Sequence, residues 1–516
     1  MPIQLECDLN LPSVPLRQPW RQCVGSCHAP TALRADWQAQ LRQAREDLGF
    51  EYVRFHGILS DDMGTLICQD NKFLYSFFNT DQVFDYLLSI GMRPIVELSF
   101  MPTALSSGGE TVFHYRANIT PPRNMADWSA LIHKLVSHWV QRYGVEEVSR
   151  WYFEVWNEPN LPAFWTGGQQ AYFDLYEASA NAIKGVDAAL RVGGPATAQN
   201  AWLDEFMQFC RERKLPVDFV STHFYPTDAF GEIGADTLTQ LEHAPLDVMR
   251  ERALAARDRA QALPLLYTEW NITSNPRDPL HDSSFAAALA VRIAMSVDDI
   301  VDAYSYWTFS DIFEENYFPS QPFHGGFGLL NLHGIKKPIY KAFELMAALG
   351  DRHYPIAQTH GTVMLWVGEQ SYNAIETHVL CINQAMPRHA IATEDIALCL
   401  HNQPGQRARA VTIKSINADN CNPALLWQQM GSPEYLSAAE ITELQQSTEL
   451  LETQASFETQ GKQTLLSFQA APQSVTFLRI EWEHQDHDVQ SESASSEPAD
   501  TSAAASLALQ SAERLV

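Results

Sequence analysis

Short apolar segments alternate with amphipathic stretches along residues 21–351, and this alternation restricts the fold more than any other feature. The apolar segments have the length of strands, whereas stretches such as "WQAQLRQAREDLG" and "MADWSALIHKLVSHWVQRYG" carry apolar residues at helical spacing. Continuous apolar strands separated by helices are typical of a parallel sheet covered on both faces. Eight such units predict an α/β fold, the (β/α)8 TIM barrel, rather than an open doubly wound sheet, because no glycine-rich phosphate loop follows the first strand. The segments are 22–28, 51–57, 93–100, 150–158, 191–196, 217–225, 263–271 and 301–309.

Residues 352–485 have a different pattern, in which short β-prone runs such as "GTVMLWVG", "ARAVTIKSIN" and "SVTFLRIEW" are separated by turn-forming residues. This pattern predicts an accessory β-sandwich. The N-terminal arm, residues 1–20, contains "IQLECDL" and is expected to add a strand to the sandwich. The arm and "EWEH" at 481–484 are expected to pack the sandwich on the barrel. One helix is expected inside the sandwich, beginning with a capping box at Ser437 and Glu440.

The composition excludes several classes of partner. Lys and Arg total 35 against 62 Asp and Glu, and the resulting net charge of −27 repels nucleic acid and anionic membranes. No apolar stretch is long enough to cross a bilayer, and the N-terminus does not resemble a signal peptide. The 8 cysteines are scattered, so we expect reduced thiols in a cytoplasmic protein that acts on a neutral ligand. The polar tail at 486–516 is predicted to be disordered, and the oligomeric state stays open.

Polar side chains occur where the predicted strands end, and the carboxyl ends of barrel strands all face one opening. Glu158 follows the fourth strand in "WNEPN", and Glu269 ends the seventh strand in "YTEWN". Two carboxylates are therefore expected to meet at this opening, and a carboxyl pair that shares one proton is suited to cleaving a glycosidic bond. The other strand ends contribute Arg54, His56, Asn157, His223, Tyr225 and Trp307.

Each of these residues also has an ordinary structural explanation. Glu158 could be a solvated loop residue, and His56 and His223 could be satisfied core histidines. Glu97 and Glu154 are expected to be structural, paired with a buried arginine or with backbone groups. The two histidines and the two strand-end glutamates could instead form a metal site, but no His-x-x-x-His or Cys/His spacing supports one. We therefore predict neither a metal nor a cofactor.

Taken together, the motifs resemble glycoside hydrolase family 39, whose members are retaining (β/α)8 glycosidases, mainly β-xylosidases and α-L-iduronidases. The two glutamate motifs are joined by four others that span the barrel in the same order, and by one that extends the likeness into the sandwich. These are "RFHGILSDDMG" at 54–64, "STHFYP" at 221–226, "SYWTFSDIFEE" at 305–315, "FHGGFGLLNLHGIKKPIYKAFELM" at 323–346 and "GSPEYLSAAEI" at 431–441.

The resemblance implies a role for each site residue. Glu158 would be the general acid/base and Glu269 the nucleophile, while Asn157 would hold the sugar 2-hydroxyl. Trp307 would form the floor beneath the sugar ring. Arg54 is expected from strand alternation to stay near Glu269 and keep it ionised. The residues expected to contact the glycone or to orient the two carboxylates are His56, His223, Tyr225 and Glu314.

The choice of substrate rests on charge. An α-L-iduronidase must bind a sugar carboxylate, and Arg54, the only cation in the strand-end motifs, is already assigned to Glu269. We therefore predict a β-1,4-xylosidase that releases xylose from the non-reducing end of xylooligosaccharides. Arabinosidase or β-glucosidase activity is an alternative, since one hydroxymethyl group is worth only a few kcal/mol. A catalytically silent carbohydrate-binding protein is a second alternative.

Overall fold

The computed structural model describes residues 1–229, 236–315, 317–356, 360–371 and 373–484. Eight parallel strands in these ranges close into a barrel, which confirms the (β/α)8 prediction. Each strand pairs with the next one along the chain, and the eighth closes the barrel on the first through Tyr306 and Val24. The barrel strands are Cys23–His28, Tyr52–His56, Arg93–Leu98, Tyr152–Val155, Arg191–Thr197, Phe219–His223, Leu265–Trp270 and Ala303–Tyr306.

A helix follows each barrel strand and covers the outside of the barrel. The third of these helices, Met125–Tyr143, begins where the Asn124 side chain accepts a hydrogen bond from the Ala126 amide, and it ends at Gly144. Its buried side chains recur three and four residues apart, so one apolar stripe faces the strands. The outer helices are Ala35–Leu48, Phe78–Ser89, Met125–Tyr143, Gly168–Val186, Leu203–Arg213, Val248–Ala260, Ser284–Ser296 and Pro338–Ala348. Shorter helices are Val145–Val148 and Thr237–His243, with 3-10 turns at Pro19–Arg21, Ala29–Leu33, Asp61–Met63, Ala198–Asn200 and Pro279–Asp282.

Two further sheets form the accessory domain, which confirms the predicted β-sandwich. One sheet contains, in spatial order, Ile3–Asp8, Glu394–His401, Gln463–Ala470 and Phe457–Gln460. The other contains Val14–Pro15, Arg352–Tyr354, Val363–Gln370, Asn373–Asn383, Ser474–His484, Gln406–Ile416 and Thr453–Gln454. The N-terminal arm therefore contributes a strand to each sheet, because Ile3–Asp8 pairs with Glu394–His401 and Val14–Pro15 pairs with Arg352–Tyr354. Small hairpins join Leu66–Gln69 to Lys72–Tyr75 and Thr111–Val112 to Ala117–Asn118.

The helical insertion in the sandwich contains more than the one helix expected. Ala438–Gln446 begins with the predicted capping box, in which Ser437 and Glu440 each bond the other's backbone amide. A second helix, Pro423–Gln429, was not predicted. It is only 7 residues long, and its start depends on the Asn422 side chain accepting from the Leu425 amide. A helix of about two turns leaves little periodicity to detect in a sequence.

The sandwich packs on the barrel through the strand Ser474–His484 and, as expected, through the N-terminal arm, whose Leu16 and Trp20 belong to the barrel core. Val475 and Phe477 belong to the same apolar cluster as the barrel core. Trp482, the aromatic residue of "EWEH", instead lies in the cluster between the two sandwich sheets with Leu478. Successive residues of a strand point to opposite faces of its sheet. The odd-numbered Val475 and Phe477 therefore face the barrel, whereas the even-numbered Trp482 faces the other sandwich sheet, and the expectation for "EWEH" was wrong.

Two points of the sequence prediction have no test in the structure. The domain boundaries at 20/21, 351/352 and 485/486 stay predictions. The tail at 486–516 lies outside the described residues. Among the described helices, none combines the length and the apolarity that crossing a membrane requires.

Candidate active site

Glu158 lies in a sharp turn that follows the fourth barrel strand. That strand ends at Val155, and the chain then turns through Trp156 and Glu158, whose φ angles are 69° and 43°. Left-handed backbone is costly for residues other than glycine, so the surrounding structure must hold this turn in place. The Glu158 amide donates to the Ala196 carbonyl at 2.8 Å. The turn directs the carboxyl group into the opening of the barrel.

The opening holds a pocket of about 420 Å³. Trp307 forms part of its wall and lies against the first strand, where a Cβ on Gly25 would come within 2.5 Å of Trp307 Cε3. A glycine is therefore required at position 25 for the indole to occupy this place. The described residues that line the pocket are His56, Val112, Phe113, Asn157, Glu158, Leu161, Ala163, Phe164, Ala198, Gln199, Tyr225, Thr227, Asp228, Ala229, Glu269, Ser274, Pro276, Trp307, Glu315 and Phe327.

Arg54 is wholly buried beneath the pocket and connects its acidic groups. Its Nε and Nη2 atoms lie 2.6 Å from Glu154 and 2.7 Å from Glu97. Its Nη1 lies 2.6 Å from Glu269 Oε1, and its Nη2 donates to Asn157 Oδ1 at 3.0 Å. Because a guanidinium has only donors, Asn157 must present its oxygen to Arg54 and its amide nitrogen to the pocket.

Glu269 is surrounded by hydrogen-bond donors. Besides Arg54, the Tyr225 hydroxyl donates to Oε2 at 2.9 Å, and His56 Nε2 lies 3.8 Å from Oε1. Burial raises the pKa of Glu269, while the charges of Arg54 and His56 and the Tyr225 hydrogen bond oppose that rise. Burial and the nearby carboxyl groups raise the pKa of Tyr225 well above its usual value, so its hydroxyl keeps the proton that it donates.

Glu158 lies close to Glu269 and differs from it in its surroundings. Its Oε1 is 2.9 Å from Nδ1 of His223, which is itself 3.7 Å from Glu269 Oε2. Burial and then the charge of Glu269 raise the pKa of Glu158 well above its usual value. Because this rise is larger than that of Glu269, a proton shared by the two carboxyl groups resides on Glu158.

His56 is held in its charged form by acidic neighbours. Its Nδ1 lies 2.7 Å from Glu97 Oε2, and its Nε2 lies 3.4 Å from Glu315 Oε1. Burial alone would lower the pKa of His56, but Glu97, Glu315 and Glu269 together raise it to about 10. The imidazolium therefore presents a donor toward the pocket beside Trp307, whose ring centroid lies 4.8 Å away.

The structure separates the two adjacent glutamates that follow the eighth strand. Glu314 turns away from the pocket, and its Oε2 lies 3.2 Å from Nδ1 of the buried His28. Glu315 lines the pocket beside His56. Of the two, Glu315 rather than the expected Glu314 is therefore the residue that faces the pocket. Sequence reasoning could not choose between them, since neighbouring residues in an irregular loop have no period that indicates their direction.

Other lining residues were missed for a similar reason. Phe113 and Phe164 come from loops rather than from strand ends, and Phe113 packs on Phe164 with ring centroids 5.6 Å apart. Thr268, one residue before the nucleophile candidate, was also not singled out, although its hydroxyl bonds Glu154 at 2.7 Å. The alternation of residues along the seventh strand was the only sequence signal available for Thr268. It could not indicate that the Thr268 hydroxyl would bond a side chain from another strand.

One atom each of Glu158, His223 and Glu269 could approach a single metal ion, because these atoms lie within 4.8 Å of one another. Each of the three groups is already hydrogen-bonded, and two cations, Arg54 and His56, already compensate the negative charge. A divalent ion would have to break the bonds to His223 and Tyr225 and then sit beside a permanent guanidinium. The donor set therefore suits proton transfer better than metal binding.

The chain resembles known proteins over most of its length. The model of glycosyl hydrolases family 39 matches residues 3–464. A β-xylosidase of Caldicellulosiruptor saccharolyticus is 46% identical over 442 residues, which are 85% of this chain and 90% of that protein. A β-xylosidase of Geobacillus stearothermophilus is 38% identical over 491 residues, 92% of this chain and 95% of that protein. The solved β-xylosidase of Caulobacter crescentus superposes with a TM-score of 0.77 at 33% identity, covering 93% of this chain and 100% of that one.

Proposed function

The chain belongs to glycosyl hydrolases family 39, and on that premise we propose that it is a retaining β-1,4-xylosidase that releases xylose from the non-reducing end of short xylooligosaccharides. The observation that carries the proposal is the close approach of Glu158 and Glu269, whose nearest oxygens lie within 4.8 Å. Retaining enzymes keep their carboxyl groups about 5–5.5 Å apart, whereas inverting enzymes separate them by about 6.5–9.5 Å to admit a water.

The proposed reaction has two steps, each using both carboxyl groups. In the first, ionised Glu269 attacks the anomeric carbon while Glu158 transfers its proton to the departing oxygen, which leaves a covalent glycosyl-enzyme. Ester formation removes the charge of Glu269, which had helped to raise the pKa of Glu158. Glu158 then acts as the general base, and it takes a proton from the water that releases the sugar.

Other pocket residues support the transition state. The amide nitrogen of Asn157 is placed to donate to the sugar 2-hydroxyl, a bond that strengthens as positive charge develops on the ring. Arg54 and Tyr225 hold Glu269 in position for attack. Trp307 offers an apolar surface for a sugar face, and Glu315 beside His56 offers an acceptor and a donor for glycone hydroxyls.

The charge of the pocket supports a neutral glycone. Four of the described lining residues have carboxyl side chains: Glu158, Asp228, Glu269 and Glu315. None of the described lining residues is a lysine or an arginine. A uronic acid would place its carboxylate among these groups, with His56 as its nearest cation and that cation already shared with Glu97. This arrangement disfavours an α-L-iduronide and suits a pentose. A pocket of about 420 Å³ also suits removal of a terminal unit.

The surroundings of the cysteines bear on where the enzyme works. All 8 cysteines lie within the described residues and are free thiols. This pattern suits a reducing compartment, in which the enzyme would act on small neutral oligosaccharides. The cytoplasmic location stays a prediction.

A panel of 4-nitrophenyl glycosides tests the proposal. We expect the β-D-xyloside to have the highest kcat/KM, with the β-D-glucoside and α-L-arabinoside lower and the α-L-iduronide inactive. Xylohexaose should release xylose as its first product, and its initial anomer should be β. Release of xylobiose first would contradict exo action, and release of no 4-nitrophenol from any glycoside would leave a binding protein.

A further inference from the structure

A buried chain of hydrogen bonds runs from Glu158 into the barrel interior. Nδ1 of His223 lies 2.9 Å from Glu158 Oε1, and Nε2 of the same ring lies 3.0 Å from Thr268 Oγ1. The Thr268 hydroxyl in turn bonds Glu154 Oε1 at 2.7 Å. His223, Thr268 and Glu154 have no exposed surface, and Thr268 and Glu154 do not line the pocket.

The direction of each bond in this chain follows from the chemistry of its members. Glu154 is ion-paired through Oε2 with Arg54 at 2.6 Å, so it is an acceptor of hydrogen bonds. Thr268 must therefore donate its single hydroxyl hydrogen to Glu154, and its oxygen can only accept from His223 Nε2. The hydrogen on the His223 ring is thus placed on Nε2.

His223 has one ring hydrogen rather than two. Burial and then the charges of Arg54 and His56 lower its pKa well below the usual value, so the ring is neutral near pH 7. With its hydrogen on Nε2, the ring presents a lone pair at Nδ1. The facing atom, Glu158 Oε1, must then supply the hydrogen of that bond.

We propose that Thr268 and Glu154 are positioning residues, which hold His223 in the Nε2–H tautomer so that its Nδ1 accepts only from a protonated Glu158. This proposal rests on the assignment of Glu158 as the general acid/base. The chain thereby favours the acid form before glycosylation. After the proton has left, the same lone pair faces a carboxylate, and the repulsion makes Glu158 a stronger base toward water.

The remaining charged and titratable groups near Glu158 do not reverse this effect. Glu269 and Glu315 also favour its protonated form, whereas Arg54 and His56 favour its ionised form. Tyr225 remains protonated and donates to Glu269. None of these side chains bonds the Nε2 side of His223, where Thr268 is the partner that fixes the tautomer.

Replacing Thr268 with valine tests the proposal, because valine keeps the shape and removes the hydroxyl. His223 would then move its hydrogen to Nδ1, donate to Glu158 and stabilise the ionised carboxylate. In Thr268→Val, the basic limb of kcat/KM against pH should move down by about one pH unit, which is a tenfold loss of protonated Glu158 above that limb. The loss should appear with phenyl β-xyloside and largely disappear with 2,4-dinitrophenyl β-xyloside, whose leaving group needs little protonation.

Two matched variants separate this role from loss of a buried hydroxyl. Thr268→Ser keeps the hydroxyl and should keep the basic limb at its wild-type position. Thr222→Val removes another buried hydroxyl, which donates to the Thr197 carbonyl at 2.9 Å, and it should not move the limb. The burst of 2,4-dinitrophenol gives the active fraction in every sample. If Thr268→Val yields no burst, the smaller Thr268→Ala replaces it.

The outcomes are distinct. An unmoved limb in Thr268→Val, with equal losses on both aryl xylosides, would overturn the proposal and leave Thr268 a packing residue. A limb that moves equally in Thr222→Val would also overturn it. The wild-type enzyme is assayed before any variant is made. If it hydrolyses no β-xyloside, the proposed function is wrong, and this result is distinct from a failure of the Thr268 proposal.

Discussion

Glu269 lies 2.6 Å from the guanidinium of Arg54, whereas the other carboxyl group of the site, Glu158, is hydrogen-bonded to the neutral ring of His223. A permanent cation stabilises the ionised form of the group that it touches, and a neutral acceptor does not. The two carboxyl groups thus differ in their neighbours rather than in their burial. This difference assigns the shared proton to Glu158 and the negative charge to Glu269.

Removing either carboxyl group should abolish a different step. Glu269→Ala should lose nearly all turnover on every substrate, because no group remains to attack the anomeric carbon. Glu158→Ala should lose about 10²- to 10⁴-fold on phenyl β-xyloside, which needs general acid catalysis. It should still show a burst with 2,4-dinitrophenyl β-xyloside and then stall. Stopped-flow absorbance at the dinitrophenolate band measures both phases.

Azide distinguishes the two variants further. It needs no general base, so it should restore turnover of Glu158→Ala and give a β-configured glycosyl azide. Glu146→Ala, which removes an exposed surface carboxylate, should behave as wild type. An α-configured azide from Glu158→Ala would mean that Glu269 and Glu158 have exchanged roles.

Activity should depend on pH through both glutamates. Glu158 must be protonated, so kcat/KM should fall as the pH rises through its pKa, which burial and Glu269 raise well above the usual value. Glu269 must be ionised, so kcat/KM should fall as the pH drops through its own raised pKa. We expect a bell-shaped profile on a substrate with a poor leaving group. In Glu158→Ala, assayed by the dinitrophenol burst, the basic limb should be absent, and its persistence would assign that limb to another group.

Arg54 should be essential for stability as well as for activity. Lysine cannot reproduce its four contacts, so Arg54→Lys would leave buried carboxylates without a partner and should lower the free energy of unfolding by about 3–5 kcal/mol. Arg93→Lys is the matched control, because Arg93 pairs with Glu147 at a partly exposed position near the surface, and its replacement should cost less than about 1 kcal/mol. Urea unfolding of both variants measures the difference, and equal losses would contradict the central role of Arg54.

The adjacent glutamates after the eighth strand provide a matched pair. Glu315→Gln removes a charged group from the pocket and weakens the charge on His56, so kcat/KM for the β-xyloside should fall about 10-fold or more. Glu314→Gln alters the contact with His28 outside the pocket and should change kcat/KM far less. Steady-state kinetics on both variants measure the two losses. A larger loss of kcat/KM in Glu314→Gln would favour Glu314, as the sequence predicted, as the residue that contacts the glycone.

Chelation should not affect the enzyme. Overnight dialysis against EDTA is expected to leave kcat/KM on the β-xyloside unchanged, because Glu158, His223 and Glu269 are already hydrogen-bonded and two cations, Arg54 and His56, already balance the charge of Glu269. A zinc-dependent hydrolase treated in parallel serves as the control for chelation. Loss of activity that added zinc restores would show that these three groups hold a metal.

Much of this molecule could be predicted from local sequence features. The alternation of strands and helices is a periodic signal within each segment, so the barrel and the sandwich follow from it. Glu158 and Glu269 follow from the barrel, because all its strands end at the same opening. The capping box at Ser437 is also local, since its two partners lie three residues apart.

The tertiary structure alone decided the features that depend on side chains distant in the chain. Arg54 bonds Glu154 and Glu269, which lie 100 and 215 residues away, and no periodic pattern encodes such a match. The pairing of one strand placed Trp482 between the sandwich sheets. The conformation of an irregular loop directs Glu315, and not Glu314, into the pocket. The hydrogen bond between Thr268 and Glu154 joins the seventh and fourth barrel strands, so it exists only in the folded barrel. Sequence periodicity determines which face of an element is buried, but packing in three dimensions determines which polar atoms meet there.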